Sequence, residues 1–129
     1  MSTIKTETLS TPSNSTVPVD TVVNGTAKAW VNFNGTGTVA IRRAFNVSSI
    51  TDNGLGNYTV NFTTAMSDAN YSANVSGGRA GTSPYYLTAP CFESSGTPFI
   101  YTASGFQFVM TGSSGGALDS VTLTVSVFS

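Results

Sequence analysis

The chain of 129 residues lacks histidine and has a single cysteine, Cys91. A Ser-His-Asp or Cys-His arrangement needs an imidazole to accept and return a proton, so hydrolases of these two kinds are excluded. Zinc and other transition metals are held mainly by His and by paired Cys, so we expect neither a metal nor another cofactor. Cys91 has no partner for an intramolecular disulfide, and we interpret it as a buried structural residue.

Charge and long apolar runs are also scarce. Charged residues are 9% of the chain, compared with about 25% in an average soluble domain. No run approaches the roughly 18–20 apolar residues of a membrane-spanning helix, and the first residues lack the apolar core of a secretory signal. We therefore expect synthesis in the cytoplasm and no membrane insertion. The five cations form no basic stripe, so nucleic acid is not expected as a partner; they are Lys5, Lys28, Arg42, Arg43 and Arg79.

Small polar residues are abundant instead, with 20 Thr, 18 Ser, 13 Gly and 10 Asn. Ser and Asn side chains compete for the backbone hydrogen bonds of a helix, whereas the β-branched residues Thr and Val favour strands. The composition therefore predicts an all-β protein with almost no helix.

The first 26 residues differ from the rest of the chain. They contain Pro12, Pro18 and isolated apolar residues, which are too few to bury a core. Such a segment is either a disordered arm or an extended segment that becomes ordered by pairing with another chain or a larger assembly. We predict the second for residues 1–26, an extended N-terminal assembly arm that pairs within an oligomer or docks on another protein. Residues 27–129 then form the folded domain.

Residues 27–129 contain short alternating runs separated by glycine-rich turns. Val31 and Phe33, for example, alternate with Trp30 and Asn32, and the sequence Asp-Asn-Gly-Leu-Gly at 52–56 is a strong hairpin signal. This spacing predicts an antiparallel β-sandwich or jelly-roll of about seven or eight strands.

Arg43 interrupts an otherwise regular strand pattern. Strict alternation would place it on one face with apolar neighbours, namely Val39, Ile41, Phe45 and Val47. Two interpretations remain open. The stem of Arg43 reaches solvent at the end of the sheet, or its guanidinium pairs with an acid of another molecule, such as Asp52 or Asp68.

Three aromatic residues are further candidates for contact with a ligand or partner. Aromatic rings stack on sugars and anchor interfaces. Trp30 either packs in the core or contacts a ligand. Tyr85 and Tyr86 belong to an irregular segment, 79–97, and are expected at an interface or in a pocket.

Carboxylates offer a weak basis for enzymatic chemistry. Two carboxylates about 5–10 Å apart hydrolyse glycosides, which leaves a glycan-processing enzyme as one alternative. We expect the carboxylates of the domain to be solvated, because they lie in predicted turns or loops; they are Asp52, Asp68, Glu93 and Asp119.

One long stretch, Ala27–Tyr71, carries a family resemblance. It reads Ala-Lys-Ala-Trp-Val-Asn-Phe-Asn-Gly-Thr-Gly-Thr-Val-Ala-Ile-Arg at 27–42, Phe-Asn-Val-Ser-Ser-Ile-Thr-Asp-Asn-Gly at 45–54, Tyr-Thr-Val-Asn-Phe-Thr-Thr-Ala-Met at 58–66 and Ala-Asn-Tyr at 69–71. These residues resemble a β domain common in tail-fibre-like structural proteins of tailed bacteriophages. The opening, Ser-Thr-Ile-Lys-Thr-Glu-Thr-Leu at 2–9, resembles the short extended segment that precedes this domain in small phage proteins.

The resemblance implies a non-enzymatic virion component, a homotrimer located at the tail or on the capsid surface. We therefore expect a tail-fibre or fibre-tip subunit that attaches to a host-surface glycan, with residues 79–97 and 111–117 at its exposed tip. The N-terminal arm would contact other virion proteins. The alternative is a capsid decoration protein that stabilises the head. Arg43 stands where this domain usually has a small or polar residue.

Overall fold

The computed structural model of the protein describes residues 2–78, 86–87, 100–112 and 116–129. Its strands are β1 (Thr8–Ser10), β2 (Thr16–Pro18), β3 (Ala29–Asn34), β4 (Ala40–Phe45), β5 (Val47–Gly54), β6 (Asn57–Phe62), β7 (Ser72–Gly78), β8 (Tyr86–Leu87), β9 (Tyr101–Thr102), β10 (Gly105–Val109), β11 (Thr111–Gly112) and β12 (Thr122–Phe128), and helix α1 covers Val19–Gly25. We call the antiparallel sheet β5-β6-β10-β9 the first sheet and β4-β3-β12-β7 the second sheet. The pairs β1-β2 and β8-β11 lie outside these two sheets.

The core lies between the inner faces of the two sheets, because alternate side chains of a strand point to opposite faces. Along β3, β6 and β12 buried residues alternate strictly with half-buried or exposed ones. The most deeply buried large side chains come from both sheets; they are Tyr58, Phe33, Phe106, Phe108, Leu123, Val31, Val60 and Val127. The predicted all-β sandwich is confirmed, and its two main sheets contain eight strands in the part of the chain described.

Aromatic rings join the two sheets across the core. Phe33 on β3 lies edge-on to Tyr58 on β6, with ring centroids 5.4 Å apart. Tyr71 precedes β7 of the second sheet, and its hydroxyl lies 3.0 Å from the carbonyl oxygen of Thr102 and 2.9 Å from that of Gly105, both in the first sheet. Aromatic pairs add roughly 0.5–1.5 kcal/mol beyond the area they bury. The rings therefore help to hold the sheets in one relative position.

The N-terminal segment folds locally, which differs from the predicted extended arm. Between β1 and β2 the chain reverses, with Asn14 in the left-handed region at a φ of 62°. Helix α1 follows Pro18 directly and is closed by a hydrogen bond from Oγ1 of Thr26 to the carbonyl of Val22. All residues from 2 to 26 are exposed except Val19, which is half-buried. The segment thus forms a hairpin and one short helix outside the sandwich core.

A hydrogen-bonded group, the Tyr58 cluster (Gly35, Gly56, Tyr58 and Asp119), connects the β5–β6 hairpin with the chain before β12. The hydroxyl of buried Tyr58 shares its proton between the carbonyl oxygen of Gly35 and Oδ1 of Asp119, each 2.8 Å away. The same Oδ1 accepts the backbone N–H of Gly56 at 2.7 Å. The expectation of a solvated carboxylate is therefore wrong for Asp119, since this half-buried group accepts two hydrogen bonds from the first sheet.

Glycine is required where the hairpin enters the Tyr58 cluster. The predicted hairpin at 52–56 is confirmed, and its two-residue turn is Leu55–Gly56. Gly56 has a φ of +66°, and a Cβ there would lie 2.7 Å from both the amide nitrogen of Leu118 and the carbonyl oxygen of Met110. No side chain fits so close to backbone atoms. The turn therefore depends on glycine for both its conformation and its packing.

Asn46 carries the chain from the second sheet to the first. It is the single residue between β4 and β5, and its φ of 53° lies in the left-handed region that Asn tolerates better than most residues. Its Nδ2 donates to the carbonyl oxygens of Lys28 at 3.0 Å and Thr64 at 3.1 Å, and its Oδ1 accepts the N–H of Thr64 at 2.7 Å. One side chain thus links segments that adjoin both sheets.

Replacing Asn46 tests this corner. Asn46→Ala removes three hydrogen bonds and places a Cβ-bearing residue without a compensating side chain in the left-handed region. We expect the free energy of unfolding to fall by about 3 kcal/mol, measured by urea denaturation. Asn46→Gly is the matched variant, because glycine adopts this φ without strain, and it should lose about 1 kcal/mol less. Equal losses in the two variants would contradict a contribution from backbone strain.

The buried tyrosines predict how stability changes with alkaline pH. Burial, followed by the hydrogen bond to Asp119, raises the pKa of Tyr58 well above its ordinary value, and burial raises the pKa of Tyr71 to about 12. Below pH 10 the folded and unfolded chains both keep these protons. Above it the unfolded chain releases them first, so the free energy of unfolding should decrease as pH rises from 10 towards 12.

Urea denaturation at pH 8, 10 and 11 measures this dependence. Tyr58→Phe and Tyr71→Phe lose a hydroxyl hydrogen bond at every pH, but each should show a shallower decrease above pH 10 than the unsubstituted protein. A slope unchanged in both variants would mean that neither phenol is responsible.

Candidate functional site

A β-bulge determines which way the two adjacent arginines point. Asn32 of β3 pairs with Arg43 of β4, whereas the next residue, Phe33, pairs with Ile41, so Arg42 is an extra residue in β4. A bulge of this kind shifts the alternation of the strand by one position. Arg43 consequently lies on the outer face of the second sheet, opposite the face of Phe33.

The prediction that Arg43 interrupts a strictly alternating apolar face is therefore wrong. The prediction assumed strict alternation, which the extra residue breaks. Strict alternation would place Arg43 and Phe45 against the core. Ala44, which lies between them, packs against the core instead. Phe45, expected inside, is 54% exposed and lies on the outer face.

Arg42 fastens the edge strand β4 to the sheet. Its Nη1 donates to Oδ1 of Asn32 and to Oγ1 of Thr122, each at 3.2 Å, and to the carbonyl oxygen of Phe33 at 3.4 Å. Its Nη2 donates to the carbonyl oxygen of Val121, directly before β12. The guanidinium thus spans β3 and holds the side chain of Asn32 in place on the outer face.

The outer face of the second sheet presents two rows of side chains across its four strands. Register places Phe45, Trp30, Ser126 and Asn74 in the first row, and Arg43, Asn32, Thr124 and Ser76 in the second. We call these eight residues the Trp30 face. Neighbouring strands are about 4.8 Å apart, so each row is about 14 Å long. A shallow depression of about 160 Å³ lies between β7 and β12 at the polar end of this face.

Trp30 is a surface residue. It is 37% exposed beside the 54% exposed Phe45, its direct cross-strand partner. Of the two interpretations of Trp30, the structure contradicts core packing, because Val31 and Phe33 occupy the inner face of β3. Trp30, Phe45 and Arg43 therefore form an aromatic and cationic corner on a polar sheet.

The outer face of the first sheet has a different character. Its side-chain amides bond one another and nearby hydroxyls: Nδ2 of Asn61 donates to Oγ of Ser49 and to Oγ1 of Thr51, each at 3.0 Å, and Nε2 of Gln107 donates to Oδ1 of Asn57 at 2.8 Å. A depression of about 180 Å³ beside β10 is lined by amide and hydroxyl side chains together with Ile100 and Phe106. These polar groups are partly occupied with each other, unlike the aromatic rings of the Trp30 face.

The remaining candidates are only partly described. Tyr85 lies outside the described residues, as do Cys91 and Glu93, whereas the backbone of Tyr86 pairs with Gly112 in the β8-β11 ladder.

Asp52 and Asp68 behave as turn residues. Oδ1 of Asp52, near the end of β5, accepts the N–H of Gly54 at 2.9 Å, and Oδ1 of Asp68, in the connection before β7, accepts the N–H of Asn70 at 2.7 Å; both residues are exposed. The expectation of solvated carboxylates is confirmed for these two.

Within residues 2–78, 86–87, 100–112 and 116–129, no cluster of three or more His, Cys, Asp or Glu is arranged to hold a metal ion. No helix of the described segments has the length and apolar character to cross a membrane. Comparison with protein-family models, curated proteins and solved structures finds no match to the chain.

The two arginines provide a matched pair for testing the bulge. Arg42→Ala removes hydrogen bonds to β3 and to the start of β12, and we expect it to lower the free energy of unfolding by about 1–2 kcal/mol. Arg43→Ala, an exposed neighbour, should change it by no more than about 0.5 kcal/mol. Chemical denaturation of both variants measures the difference, and a larger loss for Arg43→Ala would contradict the assigned roles.

Proposed function

We propose that the protein is a non-enzymatic structural protein of a tailed-phage virion, a trimeric tail-fibre or fibre-tip subunit that attaches to the host surface. The observation that carries the proposal is the exposed pair of Trp30 and Phe45 beside Arg43. Large aromatic side chains contribute strongly to recognition because they bring contact area with few rotatable bonds. The resemblance of Ala27–Tyr71 to a tail-fibre-like domain supports the same function.

The division of the chain supports assembly into a larger particle. Residues 2–26 are almost wholly exposed and place apolar side chains such as Leu9, Val22 and Val23 in solvent. Lys28 joins this segment to the sandwich, with its Nζ donating to the carbonyl oxygen of Val23. Contact with another virion protein would bury these apolar groups, so the segment suits attachment to the particle.

Trimer formation would bury further apolar surface. Ile41, Leu55 and Ile100 are each exposed by more than a third on the isolated chain. A domain of this size buries only about two-thirds of its unfolded surface on folding alone. Association of three copies would stabilise it by removing more apolar area from water.

A capsid decoration protein is the second candidate. The exposed N-terminal hairpin and helix favour it, because such a protein also needs a segment that docks on the particle. In that role particles lacking the protein would lose resistance to heat or osmotic shock.

Gold labelling of intact phage particles with an antibody to the purified domain tests the proposal. We expect label on tail appendages, together with saturable attachment of the purified trimer to host cells. Label over the head would contradict the tail-fibre assignment and support the capsid decoration protein instead. Absence of label on particles, with an antibody that recognises the native domain in solution, would overturn the virion assignment.

A further inference from the structure

The geometry points to the Trp30 face as a binding site for a carboxylate-bearing oligosaccharide. This inference rests on the proposed attachment function and names its ligand class. It follows from the order of aromatic, cationic and hydroxyl groups along the two rows, from the charge of the second sheet and from the rigidity of the strands.

The first row provides stacking followed by hydrogen bonding. Phe45 and Trp30 are directly opposed on β4 and β3, and Ser126 and Asn74 continue the row on β12 and β7. Sugar rings have an apolar face that stacks on aromatic rings and hydroxyls that bond to amide and hydroxyl groups. A short saccharide chain lying along this row would meet both kinds of group in turn.

The second row provides the charge. Arg43 lies about 7 Å from Phe45 along the same face of β4, since two residues of a strand span that distance. Asn32, Thr124 and Ser76 follow across the sheet, with Oγ of Ser76 and Oγ1 of Thr124 2.7 Å apart. A carboxylate on a sugar ring stacked over Phe45 or Trp30 would lie within reach of the Arg43 guanidinium, which binds such groups with two parallel hydrogen bonds.

Charge on the second sheet favours an acidic ligand over a neutral one. The four strands Ala29–Asn34, Ala40–Phe45, Ser72–Gly78 and Thr122–Phe128 contain two arginines and no Asp or Glu. The first sheet shows the opposite, with Asp52 in β5 and no Lys or Arg in its four strands. An anionic chain would therefore be attracted to the Trp30 face and away from the opposite one.

The site needs little ordering before it binds. β3 and β12, which form the middle of both rows, are paired on each side along the sheet. Arg42 donates a hydrogen bond to the side-chain amide oxygen of Asn32. Phe45 directly precedes Asn46, whose side chain anchors the connection between the two sheets. A preformed surface loses less conformational entropy on binding, which favours affinity for a flexible saccharide.

The test uses the full chain and a surface polysaccharide purified from the host, before and after chemical reduction of its carboxylates to alcohols. Reduction keeps the sugar rings and removes the negative charge. We expect the native polysaccharide to bind, at least tenfold weaker binding after reduction, and a similar loss for Arg43→Gln. Trp30→Ala should weaken binding to both preparations. Gln107→Ala, on the opposite face, is the matched control and should bind like the unsubstituted protein.

Attachment to whole host cells, followed in parallel, separates this inference from the proposed function. Polysaccharide binding that survives carboxylate reduction, or cell attachment that is unchanged in both Trp30→Ala and Arg43→Gln, would overturn the Trp30 face as an acidic-glycan site and leave attachment standing. Binding to the purified polysaccharide without attachment to cells would overturn the proposed function alone. Failure to bind either would overturn both.

Light scattering distinguishes a subunit interface from a glycan site. If Trp30→Ala converts the oligomer into monomers, the face is covered by a second copy of the chain and the inference is wrong. An unchanged oligomer with lost polysaccharide binding supports it.

Discussion

The carboxylate of Asp119 joins the two sheets of the sandwich by hydrogen bonds. It accepts hydrogen bonds from the Tyr58 hydroxyl and the Gly56 amide, both in the β5–β6 hairpin, although Asp119 itself belongs to the chain that leads into β12. The same Tyr58 hydroxyl reaches the carbonyl of Gly35, which follows β3. A buried hydroxyl needs such partners, because a polar group that loses them is costly inside a protein. The cluster therefore sets the relative position of the strands that form the core.

Two local departures from regular structure then shape the surface. Asn46 turns the chain from one sheet to the other in a single residue, and the bulge at Arg42 shifts the alternation of β4 just before that turn. Regular alternation of the same residues from Ile41 onward, without a bulge, would turn Phe45 inward and bury Arg43. With it, Phe45 joins Trp30 outside, and Ala44 fills the smaller space against the core.

The two outer faces of the sandwich differ in their chemistry. Polar groups of the first sheet largely bond one another, as Asn61 does with Ser49 and Thr51. The Trp30 face combines exposed rings with the exposed guanidinium of Arg43 on a sheet without acids. Groups of this kind gain most from a ligand that offers both apolar and anionic surface, and a stiff sheet presents them at fixed spacing.

Composition and alternation were enough to predict an all-β sandwich, the inner positions of β3 and β12 and the hairpin at 52–56, because strand periodicity and turn chemistry are local properties. The same reasoning failed for Arg43 and Phe45, since a bulge changes the face of every later residue in its strand and depends on pairing with a distant one. It also failed for Asp119, whose partners Gly56 and Tyr58 are about 60 residues away in sequence. The short helix after Pro18 was not predicted, because its adjacent residues Val22 and Val23 are β-branched and favour strands over helices. The sequence by itself thus determined which residues favour strands, whereas only tertiary pairing decided which faces they show, because the register between distant strands is a property of the whole sheet.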